Sequence, residues 1–162
     1  SIRIIIMDCL AAVLKKNNLT ISVAESCTGG LLASHLTDII GSSQYFMGGV
    51  IAYNRIVKTK LLNVPENIEV VSPKTVVAMN AGLKDLITSD IQVSVTGYIG
   101  TNYDKPDLSN TIYYGIFYNY IDTIFTINLP ENCPTRLDAK LTIVSNIINN
   151  IYRIITHDSY FI

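Results

Sequence analysis

The amino-acid sequence predicts a single three-layer α/β/α domain with a mixed, mostly parallel sheet. Helical and strand patterns alternate through most of the chain, and two adjacent strand patterns follow near the end. That order is typical of an α/β layer fold whose sheet ends in a hairpin. The chain has 162 residues, 49% of them hydrophobic, so one domain spanning 1–162 can bury a sizeable core.

The elements follow from hydrophobic periodicity and from residues that start and stop helices. Gly29-Gly30 and Gly41 bracket one helix, and Ser72-Pro73 supplies a hydroxyl cap with proline at the first helical position. Gly48-Gly49, inside a strand pattern, indicates a bulge or a close backbone approach. The predicted helices cover 2–17, 31–40, 55–62, the stretch beginning at Ser72, and about 136–155. The predicted strands cover 19–24, 46–53, 91–96, 111–118 and 123–129, the last two joined around residues 119–122.

Composition and charge exclude several classes of protein. The net charge of −1 and the isoelectric point near 6.0 give no basic footprint for nucleic acid. No apolar run is long enough to span a membrane, and no basic leader with a cleavage site is present, so neither insertion nor export is expected. The three cysteines are scattered, which predicts reduced thiols in the cytoplasm. Neither cysteines nor acidic residues have metal-ligand spacing, so no metal or other cofactor is expected.

The first candidate for chemistry is the polar turn between the first strand and the second helix. It contains Ser26, Thr28, Gly29 and Gly30. Free N–H groups at a helix N-terminus, with glycines that permit close approach, suit a phosphate or carboxylate. The structural alternative is that Thr28 caps the helix while the glycines ease a tight turn. One Gly-Gly pair after a strand does not decide between these interpretations.

The second candidate is Gly41-Ser42-Ser43, followed by Tyr53 and Lys58. A serine hydroxyl is a weak nucleophile until a base takes its proton. With only two histidines in the chain, a Ser-His-Asp triad has few candidates. A lysine can serve instead when burial or a neighbouring cation lowers its pKa. By spacing alone, an ordinary loop and a surface lysine remain the alternative.

The other reactive side chains favour structural roles. Cys27 lies near a predicted helix start, where a thiolate is favoured, but no histidine is close to it in sequence, so a small buried thiol is the simpler interpretation. His35 stands between apolar residues of a helix. The tyrosines of the late strands are typical of packing or of an interface.

Together these motifs resemble the CinA C-terminal domain family (PncC type). The resemblance covers nearly the whole chain and implies the family's α/β fold and a homodimer. The nucleotide-sugar pyrophosphatase-like domain that precedes it in longer members is expected to be absent. The motifs that carry the resemblance are Ala24-Glu25-Ser26-Cys27-Thr28-Gly29-Gly30, Gly41-Ser42-Ser43-x-x-Phe46, Gly49-Val50-x-x-Tyr53-x-x-x-x-Lys58, Val71-Ser72 and Thr96-Gly97.

The resemblance implies hydrolysis of nicotinamide mononucleotide to nicotinic acid mononucleotide and ammonia, without a metal or redox cofactor. By matching position, Ser43 is the expected nucleophile, Lys58 its base and Tyr53 an assisting group. Backbone N–H groups near Ser42 and Ser43 are expected to stabilise the oxyanion. The expected substrate-binding residues are Ser26, Thr28, Gly29, Gly30, Ser42, Thr96, Gly97 and Arg136, with the phosphate at the helix start.

Two departures from the family pattern affect the expected specificity. Members read Thr/Ser-Gly-Ile-Ala-Gly-Pro where this chain has Thr96-Gly97-Tyr98-Ile99-Gly100-Thr101. Members read Gly-Asp-Arg where this chain has Glu131-Asn132-Cys133, so Arg136 is the arginine left nearby. A cysteine cannot replace an arginine that binds a phosphate or carboxylate. The alternatives are therefore a catalytically impaired nucleotide-binding homologue and an amidase for a different small carboxamide.

Overall fold

The computed structural model describes residues 2–158, with the side chains of residues 6–157. In this part of the chain, five α-helices and five strands follow the predicted order. The helices are α1 (Ile2–Lys16), α2 (Leu31–Leu36), α3 (Arg55–Leu62), α4 (Pro73–Leu86) and α5 (Arg136–Asp158). The strands are β1 (Ile21–Glu25), β2 (Phe46–Ile51), β3 (Ile91–Gly97), β4 (Thr111–Tyr118) and β5 (Ile121–Asn128).

The strands form one mixed sheet in the order β2-β1-β3-β4-β5. β1 pairs in parallel with β2 on one side and with β3 on the other, whereas β4 and β5 continue the sheet antiparallel. Four of the five strands therefore run in one direction, as predicted. The carboxyl ends of β1, β2 and β3 lie together at one end of the sheet, which is where ligands bind in open α/β sheets.

Helices cover both faces of the sheet and confirm the three-layer architecture. α1, α2 and α5 pack on one face over the larger hydrophobic core. α3 and α4 pack on the other face, where a smaller core contains Ala24, Ala52, Leu62, Met79 and Leu83. No helix of residues 2–158 is long and apolar enough to cross a membrane.

Local signals in the sequence explain how several elements begin. The Asn54 side chain accepts a hydrogen bond from the Ile56 N–H at 2.9 Å and caps α3. Ser72 caps α4 in the same way, with proline at the first helical position as predicted. Cap residues of this kind fix where each helix starts, and the start of α3 positions the lysine discussed below.

The glycine pair in β2 has both features that its sequence predicts. The parallel register with β1 shifts after Phe46, which is the expected bulge. A Cβ added to Gly49 would lie 2.6 Å from the Val23 carbonyl oxygen, so the backbones of β1 and β2 approach too closely for a side chain. The glycine thus permits tight pairing of β2 with β1.

Several boundaries differ from the sequence prediction. β1 covers Ile21–Glu25 and not 19–24, and β2 ends at Ile51 and not at Tyr53. α2 ends at Leu36 and not at Ile40, because the Thr37 hydroxyl bonds back to the carbonyl oxygens of the preceding turn. The β4–β5 hairpin turns over two residues and not four. Asn119 and Tyr120 have φ of 52° and 64°, the left-handed pair of a type I′ turn, whose twist matches that of the flanking strands.

Candidate active site

A cleft of about 330 Å³ opens at the carboxyl edge of the parallel strands. It is lined by residues that directly follow β1 and β2, by the last residues of β3, and by one turn of α3. Because β1, β2 and β3 pair in parallel, the residues at their carboxyl ends lie side by side in this cleft. The side chains that define the chemistry of the cleft are Ser26, Tyr53, Lys58, Thr96 and Tyr98.

Lys58 supplies the buried amine of the cleft. α3 is capped by Asn54, and its first turn carries Lys58 back to the carboxyl end of β2. The side-chain nitrogen Nζ lies 2.8 Å from Ser26 Oγ, 2.8 Å from the Ala52 carbonyl oxygen and 3.0 Å from the Tyr53 carbonyl oxygen. Only 2% of the residue is exposed, so these three partners replace water around the amine.

Burial lowers the pKa of Lys58 from 10.5 to about 8, because desolvation disfavours the charged ammonium. A Cys27 thiolate would raise this pKa, and the Arg55 guanidinium lowers it. Burial also raises the pKa of Cys27 to about 12, so its thiol stays protonated and gives no opposing charge near neutral pH. Roughly a tenth of the lysine is therefore neutral at pH 7 and about half at pH 8.

Ser26 presents the hydroxyl that a neutral Lys58 can deprotonate. Its backbone N–H donates to the Val95 carbonyl at 3.1 Å and fixes the end of β1 against β3. A neutral lysine has two N–H donors and one lone pair. When the donors bond to the carbonyls of Ala52 and Tyr53, the lone pair remains for the Ser26 proton. The arrangement is that of a serine nucleophile with a lysine base.

The turn after Ser26 is held by a carboxylate from the chain itself. Glu25 is buried and accepts hydrogen bonds from the Thr28 hydroxyl at 2.7 Å and from the N–H groups of Leu32 and Ala33 at 2.8 and 3.0 Å. These are the donors at the start of α2, where a negative charge is favourable. The expected phosphate site at the start of α2 is therefore not supported, because the Thr28 hydroxyl and the N–H groups of Leu32 and Ala33 already bind a carboxylate.

Ser42 and Ser43 lie at the opposite end of the sheet from Lys58. They form a 3-10 turn immediately before β2, whereas Lys58 follows β2. The six residues of this strand separate the two ends by about 20 Å at 3.3 Å per residue. The expected Ser43–Lys58 pair is therefore not formed within one chain. Ser43 precedes β2 and Lys58 follows it, so the two side chains lie at opposite ends of this strand. Lys58 contacts Ser26 instead.

The remaining predicted residues of this region have mixed roles. Tyr53 is 60% exposed at the mouth of the cleft, while its carbonyl oxygen accepts from Lys58. The Thr96 hydroxyl donates to the Val70 carbonyl at 2.8 Å, which ties β3 to the segment before α4. Gly97 permits close packing, since a Cβ there would collide with the Ile112 side chain.

The comparison with known sequences decides the family. The CinA C-terminal domain family matches residues 5–150. The chain belongs to this family. A CinA-like protein of Desulfotalea psychrophila is 47% identical over 91 residues, which are 54% of this chain and 22% of that relative. A CinA-like protein of Geotalea uraniireducens is 44% identical over 95 residues, 56% of this chain and 23% of the relative. The chain thus spans less than a quarter of these two relatives.

Solved structures of CinA superfamily proteins share the fold. One from Klebsiella pneumoniae superposes with a TM-score of 0.87 at 20% identity, covering 96% of this chain and 98% of that one. The competence/damage inducible protein CihA from Agrobacterium tumefaciens superposes with a TM-score of 0.79 at 24% identity, covering 90% of this chain and 93% of that one. At these identities the likeness shows the fold alone.

This CinA C-terminal domain has a second cleft, of about 260 Å³, lined mainly by residues 97–104. Cys27, Tyr53 and Tyr98 line both clefts, so the two are continuous, and Arg136 lines the far part. Arg136 Nη1 donates to the Ile99 carbonyl at 3.0 Å, which holds the loop after β3 against the start of α5. The guanidinium is exposed and carries further donors.

Sequence reasoning missed two features of this CinA site. It paired Lys58 with Ser43, whereas Lys58 contacts Ser26 within the chain, and it gave no role to Glu25. A signal for the first was present: Ser26 follows the predicted strand 19–24, Tyr53 ends the predicted strand 46–53, and the ends of neighbouring parallel strands lie side by side. A signal for the second was an acidic residue directly before a glycine turn and a helix start.

Proposed function

We infer that this chain hydrolyses a carboxamide, with Ser26 as the nucleophile and Lys58 as its base, and that nicotinamide mononucleotide is the substrate. The observation that carries the proposal is the buried Lys58 amine, 2.8 Å from Ser26 Oγ, with a pKa lowered to about 8. A surface lysine beside a capping serine would be solvated and would keep its charge. Membership of the CinA family and the motif resemblance support this choice of reaction and substrate.

The reaction follows from these positions. Neutral Lys58 takes the Ser26 proton, and Oγ attacks the carboxamide carbon to give a tetrahedral intermediate. The N–H group of Thr28 follows the nucleophile in its turn and donates to no backbone carbonyl of the described residues, so it can bind the oxyanion. The Lys58 ammonium then gives its proton to the amide nitrogen of the intermediate, the C–N bond breaks, ammonia leaves, and the amine is neutral again. Water, deprotonated by the same amine, hydrolyses the acyl-enzyme.

The second cleft supports an aromatic, anionic substrate. Tyr53, Tyr98 and Tyr103 are among its lining residues and offer ring faces to a pyridine. Arg136 offers a fork of donors that suits a phosphate. Together the two clefts fall in the size range of small-ligand sites. In this arrangement the carboxamide enters at Ser26 and the phosphate lies toward Arg136.

Release of ammonia from nicotinamide mononucleotide tests the proposal. Ser26→Ala should remove at least a thousandfold of kcat/KM, whereas Ser34→Ala, on the exposed side of α2, is the matched control and should keep it. A Ser26→Ala variant that retains wild-type turnover would exclude this serine as the nucleophile. Calorimetry of the same variant should still detect the nucleotide, because the hydroxyl is not its main binding group.

A second carboxamide substrate is favoured by one observation. Tyr98 lines both clefts, and the family pattern that the sequence resembles has a smaller isoleucine at this position. A panel of pyridine and aliphatic carboxamides, with and without phosphate, separates the candidates by kcat/KM. Binding of nicotinamide mononucleotide without ammonia release from any of them would instead indicate a catalytically impaired homologue.

The cytoplasmic location stays a prediction; within the described residues the three cysteines are free thiols.

A further inference from the structure

The loop between β3 and β4 consists of a paired base and a tip. At the base, the Tyr98 N–H donates to the Thr111 carbonyl oxygen at 3.1 Å, and the Asn110 N–H donates to the Gly100 carbonyl oxygen at 3.1 Å. These bonds continue the pairing of β3 with β4 into the loop. We call residues 101–109, which lie beyond the base, the tip. The tip is therefore connected to the sheet by a narrow two-stranded stem.

The tip is held together by its own hydrogen bonds. The Asn102 side-chain oxygen accepts from the N–H groups of Asp104 and Lys105, each at 3.0 Å, and the Asn102 N–H donates to Ser109 Oγ at 2.8 Å. The Leu108 N–H donates to the Lys105 carbonyl oxygen at 3.0 Å and closes a 3-10 turn. Because these bonds join residues of the tip to one another, the tip can move on its stem as one unit without breaking them.

One ion pair attaches the tip to another part of the fold. Lys105 Nζ donates to Glu69 Oε2, in the segment that leads to α4. Among the hydrogen bonds and ion pairs of residues 6–157, no other joins the tip to a residue outside this loop and its base. The hydrogen bond from Lys105 is the main reason that the pKa of the Glu69 carboxyl lies below its ordinary value, so both partners are charged at neutral pH.

Glu69 belongs to a segment that residues of the first cleft hold in place. Arg55 Nη1 donates to the Ile68 carbonyl oxygen at 3.0 Å, and the Thr96 hydroxyl donates to the Val70 carbonyl oxygen at 2.8 Å. Both donors line the cleft that contains the buried amine. The ion pair thus joins the tip to a fixed wall of the candidate active site.

The ion pair is strong enough to hold the tip and weak enough to open. The Lys105 and Glu69 side chains are 44% and 31% exposed, so water partly screens their attraction. A pair with this exposure shifts an equilibrium by about fivefold at most. Closed and open positions of the tip therefore differ little in free energy, and contacts with a ligand can decide between them.

The tip forms part of the wall of the second cleft. Four successive residues of the tip, 101–104, line this cleft together with Cys27, Tyr53 and Arg136. Cys27 is only 5% exposed. A displacement of the tip removes these four residues from the boundary of the cleft, so it widens the cleft and exposes the Cys27 thiol.

We propose that the tip is a gate of the second cleft, and that the ion pair between Lys105 and Glu69 is the latch that keeps this gate closed over a bound substrate. That the substrate is a nicotinamide nucleotide rests on the proposed function above. Lys105 is then a positioning residue: it touches no reacting atom and acts on substrate affinity through the tip.

Labelling of the Cys27 thiol measures the gate without any substrate. Methyl methanethiosulfonate is a small thiol reagent, and its rate of reaction at Cys27, read by mass spectrometry of the peptide, should follow the fraction of open gate. Lys105→Met should raise this rate about two- to fivefold. Asp107→Asn, exposed in the same tip, is the matched control and should leave the rate unchanged. A Lys105→Met rate equal to that of the wild type overturns the latch.

Exchange of the two charges tests whether the ion pair itself is the cause. Lys105→Glu and Glu69→Lys should each raise the labelling rate at least as much as Lys105→Met, because each places like charges together. Combined in one chain, they restore an ion pair, and the rate should return to within about twofold of the wild type. A folded double variant that labels as fast as its parents overturns the proposal.

Ionic strength gives a second measurement that needs no double variant. A rise from about 0.05 M to about 0.5 M sodium chloride screens a partly exposed ion pair, so the labelling rate of the wild type should rise toward that of Lys105→Met. Lys105→Met, which has no latch to screen, should keep its rate. Equal salt dependence of the two proteins overturns the latch.

Binding and kinetics with nicotinamide mononucleotide test whether the gate serves the candidate active site. Lys105→Met should raise the Kd in calorimetry and the KM for ammonia release by about two- to fivefold, and kcat should fall by less than about twofold. An unchanged Kd beside faster Cys27 labelling overturns the part of the proposal that concerns the substrate. A wild-type protein that neither binds the nucleotide nor releases ammonia contradicts the proposed function, whereas the labelling rates still decide whether the gate exists.

Discussion

The chain has two short turns built from serine and glycine, Ser26–Gly30 after β1 and Gly41–Ser43 before β2. Both turns contain glycines with positive φ and at least one exposed residue. The first turn follows β1 and the second precedes β2, and these two strands pair in parallel. Only the first turn contacts a buried amine. α3 begins near the carboxyl ends of the parallel strands, so Lys58 of α3 lies beside Ser26. The difference shows that strand direction, more than local composition, decides which polar turn acquires a base.

The largest effect is expected when the Lys58 amine, the feature that distinguishes the two turns, is removed. Lys58→Met keeps the length of the side chain but deletes the base, and it should lower kcat/KM for ammonia release a thousandfold or more. Lys60→Met, two residues further along α3 and exposed, is the matched control and should lose less than twofold. Steady-state kinetics measures both. Equal activities would show that Lys58 is structural and that the two turns do not differ in chemistry.

The next effect concerns protonation of the same amine. Because the base must be neutral and its pKa is about 8, kcat/KM should rise about tenfold per pH unit up to pH 8 and then level off. Arg55→Gln removes a cation that lowers this pKa, so the midpoint should move to higher pH. A pH profile of the wild type and the variant measures both. A flat profile from pH 6 to 9 contradicts a lysine base.

The fold was largely predictable because its signals are local. Helix starts such as Ser72-Pro73 and strand alternation depend on nearby residues, and the observed elements follow them. The pairing of Ser26 with Lys58 was not predicted, since it depends on the order of strands in the sheet. Sequence spacing alone placed Ser43 nearer to Lys58 than Ser26 is. The role of Glu25 was missed because a buried carboxylate is recognisable only once its three donors are in place.

A smaller effect is expected from the carboxylate that closes the first turn. Glu25→Ala leaves the Thr28 hydroxyl and the N–H groups at the start of α2 without their acceptor, so the free energy of unfolding should fall by about 3 kcal/mol. Ser72→Ala, which removes an ordinary helix cap, should cost about 1 kcal/mol and serves as the comparison. Urea denaturation measures both. A Glu25→Ala loss no greater than that of Ser72→Ala would mean that water replaces the carboxylate.

The smallest effect compares the glycines of the two turns. Gly30 and Gly41 have φ of 106° and 84°, so alanine at either position is strained by about 1 kcal/mol. At Gly41 a new Cβ meets only the flexible ends of Lys15 and Gln44, which can move aside. At Gly30 it meets Ile51 Cδ1 at 2.9 Å, and the β-branched isoleucine has fewer rotamers into which it can move than Lys15 or Gln44 has. Gly30→Ala should therefore destabilise more than Gly41→Ala in urea denaturation. The reverse order would indicate that the turn before β2 is the more tightly packed of the two.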